Sequence, residues 1–435
     1  MNISIYFIYL LFVVFFVFLV GLSKFKTLFN PTTAFSAGFL ASACICYAFY
    51  EDLDLYDFHE VTFEIIAYGL ISFLIACLIA KRYYRGKPVR RYDHSLNFNL
   101  PRVFLWFYLL FELVTIIIEA LVAMSLTGAS DPFTASNIMQ DNFINDSNMK
   151  MPTIPLNLAF IVSNLNYYFI FIFAKKVSYK EDWKRYKIII FIIIVGTLSS
   201  FFTGSRGNVI YPIIYFFIIK GIFKSTKNIK KEHLTLKKIF SISLASLIGV
   251  YLFVLSASAI GRDISDFDPV EYIAAYAGGE IKNLDMFVGE EKPTNKYPGA
   301  YTFSGISVYF VDKLPKIRTH RAIGAFYTGN VYTAFQNYYF DFGIIGSCVL
   351  CFIMGLFTQS LYEKYQRNLD IRNKYFHFGL HIYAYTMLGV VFSFFSEKVY
   401  LLLVWGTFKG LIIIWLFDRL VRNLSRKQYI INQYE

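Results

Sequence analysis

The stretch ISIYFIYLLFVVFFVFLVGLSKFK, residues 3–26, decides the fold. Its first nineteen residues carry no charge. At about 1.5 Å of rise per residue, a helix of that length crosses a hydrocarbon core of about 30 Å. No basic residue precedes the run, and Lys24 and Lys26 follow it, so it reads as a first membrane span rather than a cleavable secretory signal. Comparable runs recur at 33–50, 61–80, 102–126, 156–174, 188–202, 208–223, 239–258, 339–361, 377–395 and 399–417. The expectation is an all-α polytopic membrane protein of about eleven transmembrane helices, forming one integral-membrane domain over residues 1–435.

Composition agrees. Of 435 residues, 56% are hydrophobic and only 17% charged, and the mean hydropathy is +0.48. The net charge of +12 sits in short loops between apolar runs, which points to topology and anionic lipid rather than to nucleic acid. Every second loop is basic: Lys81 to Arg91, Lys175 to Lys187, Lys224 to Lys238, Lys364 to Lys374, and the tail from Arg419. The alternate loops are acidic or mixed, as at Glu51 to Glu60 and Asp131 to Asp146. The basic side is expected to be cytoplasmic, with the N-terminus outside and the C-terminus inside. Cys44, Cys46, Cys77, Cys348 and Cys351 all fall within apolar runs and read as small buried residues.

One long polar interruption, residues 259–338, falls on the expected outer side. Loops beyond about 15 residues in a compact protein are functional or disordered, and the aromatic and glycine content here argues for order. Asp268-Pro269-Val270-Glu271 has the cap, the proline and the acidic third position of a helix start, and a short helix to about Ala277 should break at Gly278-Gly279. Lys316, Arg318, His320 and Arg321 form a cationic cluster, and Arg262 lies just past the preceding span. Such a set binds anions or is a solvated charge run. His320 has the chemistry of a general base or hydrogen-bond donor.

Two further groups stand out. Thr203-Gly204-Ser205-Arg206-Gly207-Asn208 joins two apolar runs at their outer end. The glycines permit close backbone approach, and a helix begins there with free N–H groups. Arg206 adds a forked cation, so the turn fits either a phosphate-binding site or an interfacial arginine on a lipid headgroup. Glu112 and Glu119 share one face of a span and should point into the bundle, paired or acting as a base. Glu64, Asp341, Glu397 and Lys398 lie near outer span ends, where they can join the same polar pocket.

The order T-G-S-R-G-N, then Arg262, then a long outer loop, then G-N-V-Y-T-A-F-Q-N-Y-Y-F-D-F-G-I-I-G from Gly329 to Gly346 resembles the Wzy-type oligosaccharide repeat-unit (O-antigen or capsule) polymerases. The likeness covers roughly residues 190–360. It implies a GT-C-like helical architecture in the bacterial inner membrane, with the active site facing the periplasm and no metal or other cofactor. It implies a glycosyltransferase whose donor is a glycan on undecaprenyl diphosphate and whose acceptor is one lipid-linked repeat unit. A flippase and a chain-length-regulating co-polymerase are the protein partners it implies. In that setting Arg206 and Arg262 hold the diphosphate, with Ser205 and Gly207 beside them, and Arg318 or Arg321 orients the second substrate. The base is His320, Glu280 or Asp341, or none if the leaving group departs first. Tyr327 and Asn330 join the substrate-binding set. A lipid-linked glycan ligase and a lipid-oligosaccharide flippase are the rival readings.

Overall fold

Helices dominate the computed structural model, which describes residues 3–87, 100–144, 151–178, 186–199, 207–227, 269–290, 292, 294–311, 314–315, 317–324, 326–367 and 376–434. The first half carries α1 (Ile5–Phe25), α2 (Pro31–Ala48), α3 (Glu60–Tyr84), α4 (Arg102–Thr127), α5 (Pro132–Ile144), α6 (Thr153–Ser178), α7 (Lys187–Ser199) and α8 (Gly207–Lys227). Local chemistry sets several ends. Lys26 closes α1 in the left-handed conformation, and Gly128 does the same for α4. Asn30 caps α2 by accepting the Thr32 N–H, with Pro31 at the first helical position.

Among the described residues, six helices are long and apolar enough to cross a membrane: α1, α2, α3, α4, α6 and Phe335–Arg367. Lys187–Ser199 and Phe378–Phe394 are apolar but shorter. Nine of the eleven expected spans coincide with helix over their described residues, and 239–258 lies outside the described residues. The last expected span, 399–417, is displaced. Residues 400–402 form a single 3-10 turn, and the helix begins only at Trp405. The Glu397 carboxylate accepts the Tyr400 N–H at 2.6 Å and so closes that turn before the helix can start.

The second half builds the polar end of the bundle. As the sequence predicts, α9 (Pro269–Ala277) stops at Gly278, and α10 (Gly279–Gly289) follows. A single turn, α11 (Ser304–Ser307), precedes a hairpin of β1 (Arg321–Ile323) and β2 (Phe326–Gly329) that an all-helical expectation omits. Then come α12 (Phe335–Arg367), α13 (Phe378–Val391) and α14 (Trp405–Tyr434). Gly343 breaks α12 with φ of 67° and ψ of −165°, a conformation that side chains with a Cβ resist. The short stub before it, Phe335–Phe342, is thereby aimed independently of the membrane-length part.

α12 lies against α3 at small residues. A Cβ on Gly355 would come within 2.7 Å of the Phe73 carbonyl, and one on Gly69 within 2.2 Å of the Phe335 ring. The polar segment is pinned to the helix ends by a buried carboxylate. Asp285 on α10 accepts from His59 N (2.8 Å), His59 Nδ1 (3.0 Å) and Thr62 Oγ1 (2.8 Å), and pairs with Lys282 at 3.4 Å. Lys282 also donates to the Asp54 carbonyl. Buried charge is tolerated only with such a full set of partners. Residues 51–62 and 269–340 therefore meet at one end of the bundle.

Candidate functional site

The first turn of α12 acts as a bracket at that end. Gln336 donates from Nε2 to the Ile317 carbonyl (3.1 Å), and Asn337 from Nδ2 to the Tyr301 carbonyl (3.0 Å). The other atoms of the same two amides face Arg318. Its Nε donates to Gln336 Oε1 (3.2 Å), its two terminal nitrogens to Ser396 Oγ (3.1 Å) and Asn337 Oδ1 (3.3 Å). All three acceptors are neutral. Glu397 is close enough to act on Arg318 electrostatically, but among the described residues no carboxylate reaches salt-bridge distance of it. Burial pulls the Arg318 pKa down, with partial compensation from Glu397. The result is a guanidinium with fixed orientation, unused N–H capacity and no ion-pair partner at bonding distance among the described residues, which suits an incoming anion.

Glu397 completes this pocket. It is buried, with one oxygen taken by Tyr400 N and the Tyr338 hydroxyl (3.3 Å) and the other, Oε2, without a hydrogen-bond partner. Burial pushes its pKa up to about 7, against the lowering effects of those hydrogen bonds and of Arg318 and Lys398. Burial and the nearby Arg318 depress Lys398 in turn.

Arg321, three residues from Arg318, is held differently. Its Nε donates to Tyr332 Oη at 2.6 Å, and both terminal nitrogens grip the Glu290 carboxylate, one of them at 2.6 Å. Tyr332, wholly buried, donates its own hydroxyl hydrogen bond to the Thr319 carbonyl. The Arg321 hydrogen bond in turn holds the Glu290 carboxyl below its ordinary pKa. Asn283 ties the hairpin down, donating to the Thr328 and Val331 carbonyls while Thr328 Oγ1 donates back to Asn283 Oδ1.

His320, Tyr327 and Asn330 come together as one exposed group. His320 Nδ1 hydrogen-bonds Tyr327 Oη, its ring stacks on Tyr327 at 6.0 Å and 19°, and Asn330 Nδ2 lies 3.4 Å from Nε2. The two carboxylates proposed as alternative bases do not stand beside it as free groups. Asp341 accepts the Thr302 N–H (2.6 Å) and Asn295 Nδ2 (3.1 Å), so it shapes the 295–302 turn. Glu280 is fully buried at the start of α10 near Cys46, and neither of its oxygens has a partner among the described residues. Burial raises its pKa well above the ordinary carboxylate value.

Ser205, Arg206 and Arg262 lie outside the described residues, as does Lys316. Gly207 is the first residue of α8, so a helix does begin directly after Arg206. Within the bundle, Glu112 and Glu119 are buried as expected. Glu119 accepts from Ser199 Oγ at 3.2 Å, and Glu112 faces Gly196 and Asn166. Gln336, Asn337 and Ser396 were not singled out by sequence reasoning. The signal for Gln336 and Asn337 is an amide pair at the mouth of an apolar run, inside the motif from Gly329 to Gly346, and Ser396 carries none.

No curated protein and no solved structure matches the chain. The family model described as O-antigen polysaccharide polymerase Wzy matches residues 1–271. It overlaps the motif-based likeness over residues 190–271 and adds the N-terminal half, where apolar runs carry no short signature. Because that match spans more than half of the 435 residues, the chain belongs to the O-antigen polysaccharide polymerase Wzy family, and its apolar helices make it a multi-pass membrane protein.

Proposed function

We propose that the chain polymerises undecaprenyl-diphosphate-linked repeat units on the periplasmic side of the inner membrane, transferring the growing glycan from its lipid diphosphate to the next lipid-linked unit. The observation that carries this reading is Arg318, a pre-oriented guanidinium with no bonded counter-ion among the described residues at the polar end of the bundle. In the reaction an acceptor hydroxyl oxygen bonds to the anomeric carbon, and the bond from that carbon to the diphosphate oxygen breaks with its electron pair. Negative charge therefore grows on the diphosphate, and fixed cations there lower the barrier most. Arg206 and Arg262 are assigned to the diphosphate and Arg318 to the second lipid-linked substrate. His320 is the favoured acceptor of the hydroxyl proton, since its ring is exposed and oriented by Tyr327 and Asn330. Arg321, Asp341 and Glu280 are assigned to supporting the site rather than to the reacting atoms.

Incubating the purified protein with lipid-linked repeat units tests this. A ladder of lengths is the expected product, one transferred product would mean a ligase, and no new bond would mean transport. Arg206→Ala should abolish the ladder, and Arg206→Lys should restore little of it, because a lysine lacks the fork. Full activity in both variants would remove Arg206 from the mechanism.

A further inference from the structure

Residues 303–311, FSGISVYFV, hold no charge, although they lie in the most polar segment of the chain. α11 and the turn after it turn apolar side chains outward: Ile306 is 41% exposed, Val308 and Tyr309 61%, and Phe310 81%. The turn is well held. Ser307 Oγ donates to the Ala300 carbonyl (2.7 Å), Tyr309 N to the Ile306 carbonyl (3.1 Å) and Phe310 N to the Ser307 carbonyl (2.9 Å). Its inner face is clamped on the start of α14 and the stub of α12. A Cβ on Gly305 would meet the Leu403 carbonyl at 2.9 Å and Val404 at 3.0 Å, and Phe303 packs on Tyr400 and Phe342 with ring centres 5.4 and 6.4 Å apart.

Those two helices carry outward apolar stripes down their length. On α12 the stripe runs from Phe342 and Ile345 through Val349 and Ile353 to Phe357; on α14 it runs from Trp405 through Phe408 and Ile412 to Leu416. On α12, which is long and apolar enough to cross a membrane, such a stripe faces lipid, and the apolar stripe of α14 runs from the same end. The exposed turn is thus continuous with a lipid-facing surface and sits at its outer rim, where aromatic side chains collect at the headgroup level. Aqueous solvent is the wrong neighbour for a clamped, uncharged, aromatic turn of this exposure.

We infer that residues 306–310 insert into the boundary between headgroups and acyl chains of the leaflet at this end of the bundle. The turn is coupled to the arginine pocket through a short chain of contacts. Ala300 receives the Ser307 hydroxyl, the next residue's carbonyl receives Asn337, and Asn337 holds Arg318. Seating the turn in the bilayer therefore sets Arg318 near headgroup depth, within reach of a lipid phosphate. This inference depends on the membrane spans and not on the polymerase reading.

The test places a tryptophan at the tip, Phe310→Trp in a background where Trp106, Trp183, Trp405 and Trp415 are all replaced by Phe, in nanodiscs whose lipids carry bromine either near the headgroup or near the chain ends. Val308→Trp is made in parallel. The expected result is emission shifted to the blue and quenched by bromine, more by the shallow position than by the deep one, in both variants. Solvent-like emission without quenching would overturn the inference. Blue-shifted emission that no brominated lipid quenches would also overturn it, since a second copy of the chain would then be covering the turn.

Discussion

Arg318 and Arg321 stand three residues apart at the same end of the molecule and are in opposite electrostatic states. The pocket around Arg318 is made by α12 and the 395–400 connection, and it offers the guanidinium only amide and hydroxyl oxygens. The hairpin region gives Arg321 a whole carboxylate, Glu290, and a tyrosine hydroxyl. Arg321 is consequently a strut, tying residue 290 to the hairpin, while Arg318 keeps its charge available. The difference teaches that a cationic cluster is a count of charges, whereas an anion site is what remains after internal pairing.

The largest effect should come from removing the available charge. Arg318→Ala is expected to lower chain extension by about 10- to 100-fold, the cost of losing one charge-assisted contact to the second lipid-linked substrate. Its thermal stability should stay close to wild type. Arg321→Ala should do the reverse, with a destabilisation of about 1–3 kcal/mol and most activity retained per folded molecule. Length ladders and melting curves on both variants check this, and matching losses of activity in the two would erase the distinction.

A smaller effect concerns Glu397, which faces Arg318, Lys398, Tyr338 and Tyr400. Its folded pKa near 7 lies above the unfolded carboxyl value of about 4.3, so the folded state holds this proton more tightly. Its contribution is most favourable below about pH 4.3 and is lost as pH rises towards 7. Glu397→Gln should flatten that part of the stability profile between pH 5 and 8. The same change should flatten any loss of activity above pH 7, where ionised Glu397 would offset the charge of Arg318.

The smallest effect belongs to the strut. Glu290 has its pKa depressed by Arg321, so the pair contributes stability above the unfolded carboxyl value and loses it as pH falls through the lower folded one. The gap in melting temperature between wild type and Arg321→Ala should therefore narrow in acid. Because the Glu290 side chain is 54% exposed, solvent screens the pair and the narrowing should be modest.

Much of this protein was legible one residue at a time. Apolar runs announce helices because a span must satisfy its backbone internally and carry few charges. Asp268-Pro269 and Gly278-Gly279 announced a short helix and its end, and Pro269–Ala277 is that helix. The break at Gly343 and the late start of α14 were less accessible. The first is one glycine among several, and the second depends on a carboxylate reaching a backbone N–H three residues on. Among the site residues, His320 reads as a candidate base and Tyr327 and Asn330 as substrate-binding, and only the hairpin shows the three as one group. Asp341 and Glu280 looked alike as acidic residues, yet one is bound by donors and the other is buried without any.

Hydropathy, turn chemistry and the positions of charged residues are properties of neighbouring residues along the chain, and with them the sequence alone determined the class of the molecule and the segment that bears its polar chemistry. Which of two arginines stays without a bonded carboxylate among the described residues was decided only in three dimensions. Glu290 is 31 positions from Arg321, and Ser396 is 78 from Arg318. Ion pairing falls off steeply with distance through space and is indifferent to distance along the chain, so only the packed structure brings those partners together.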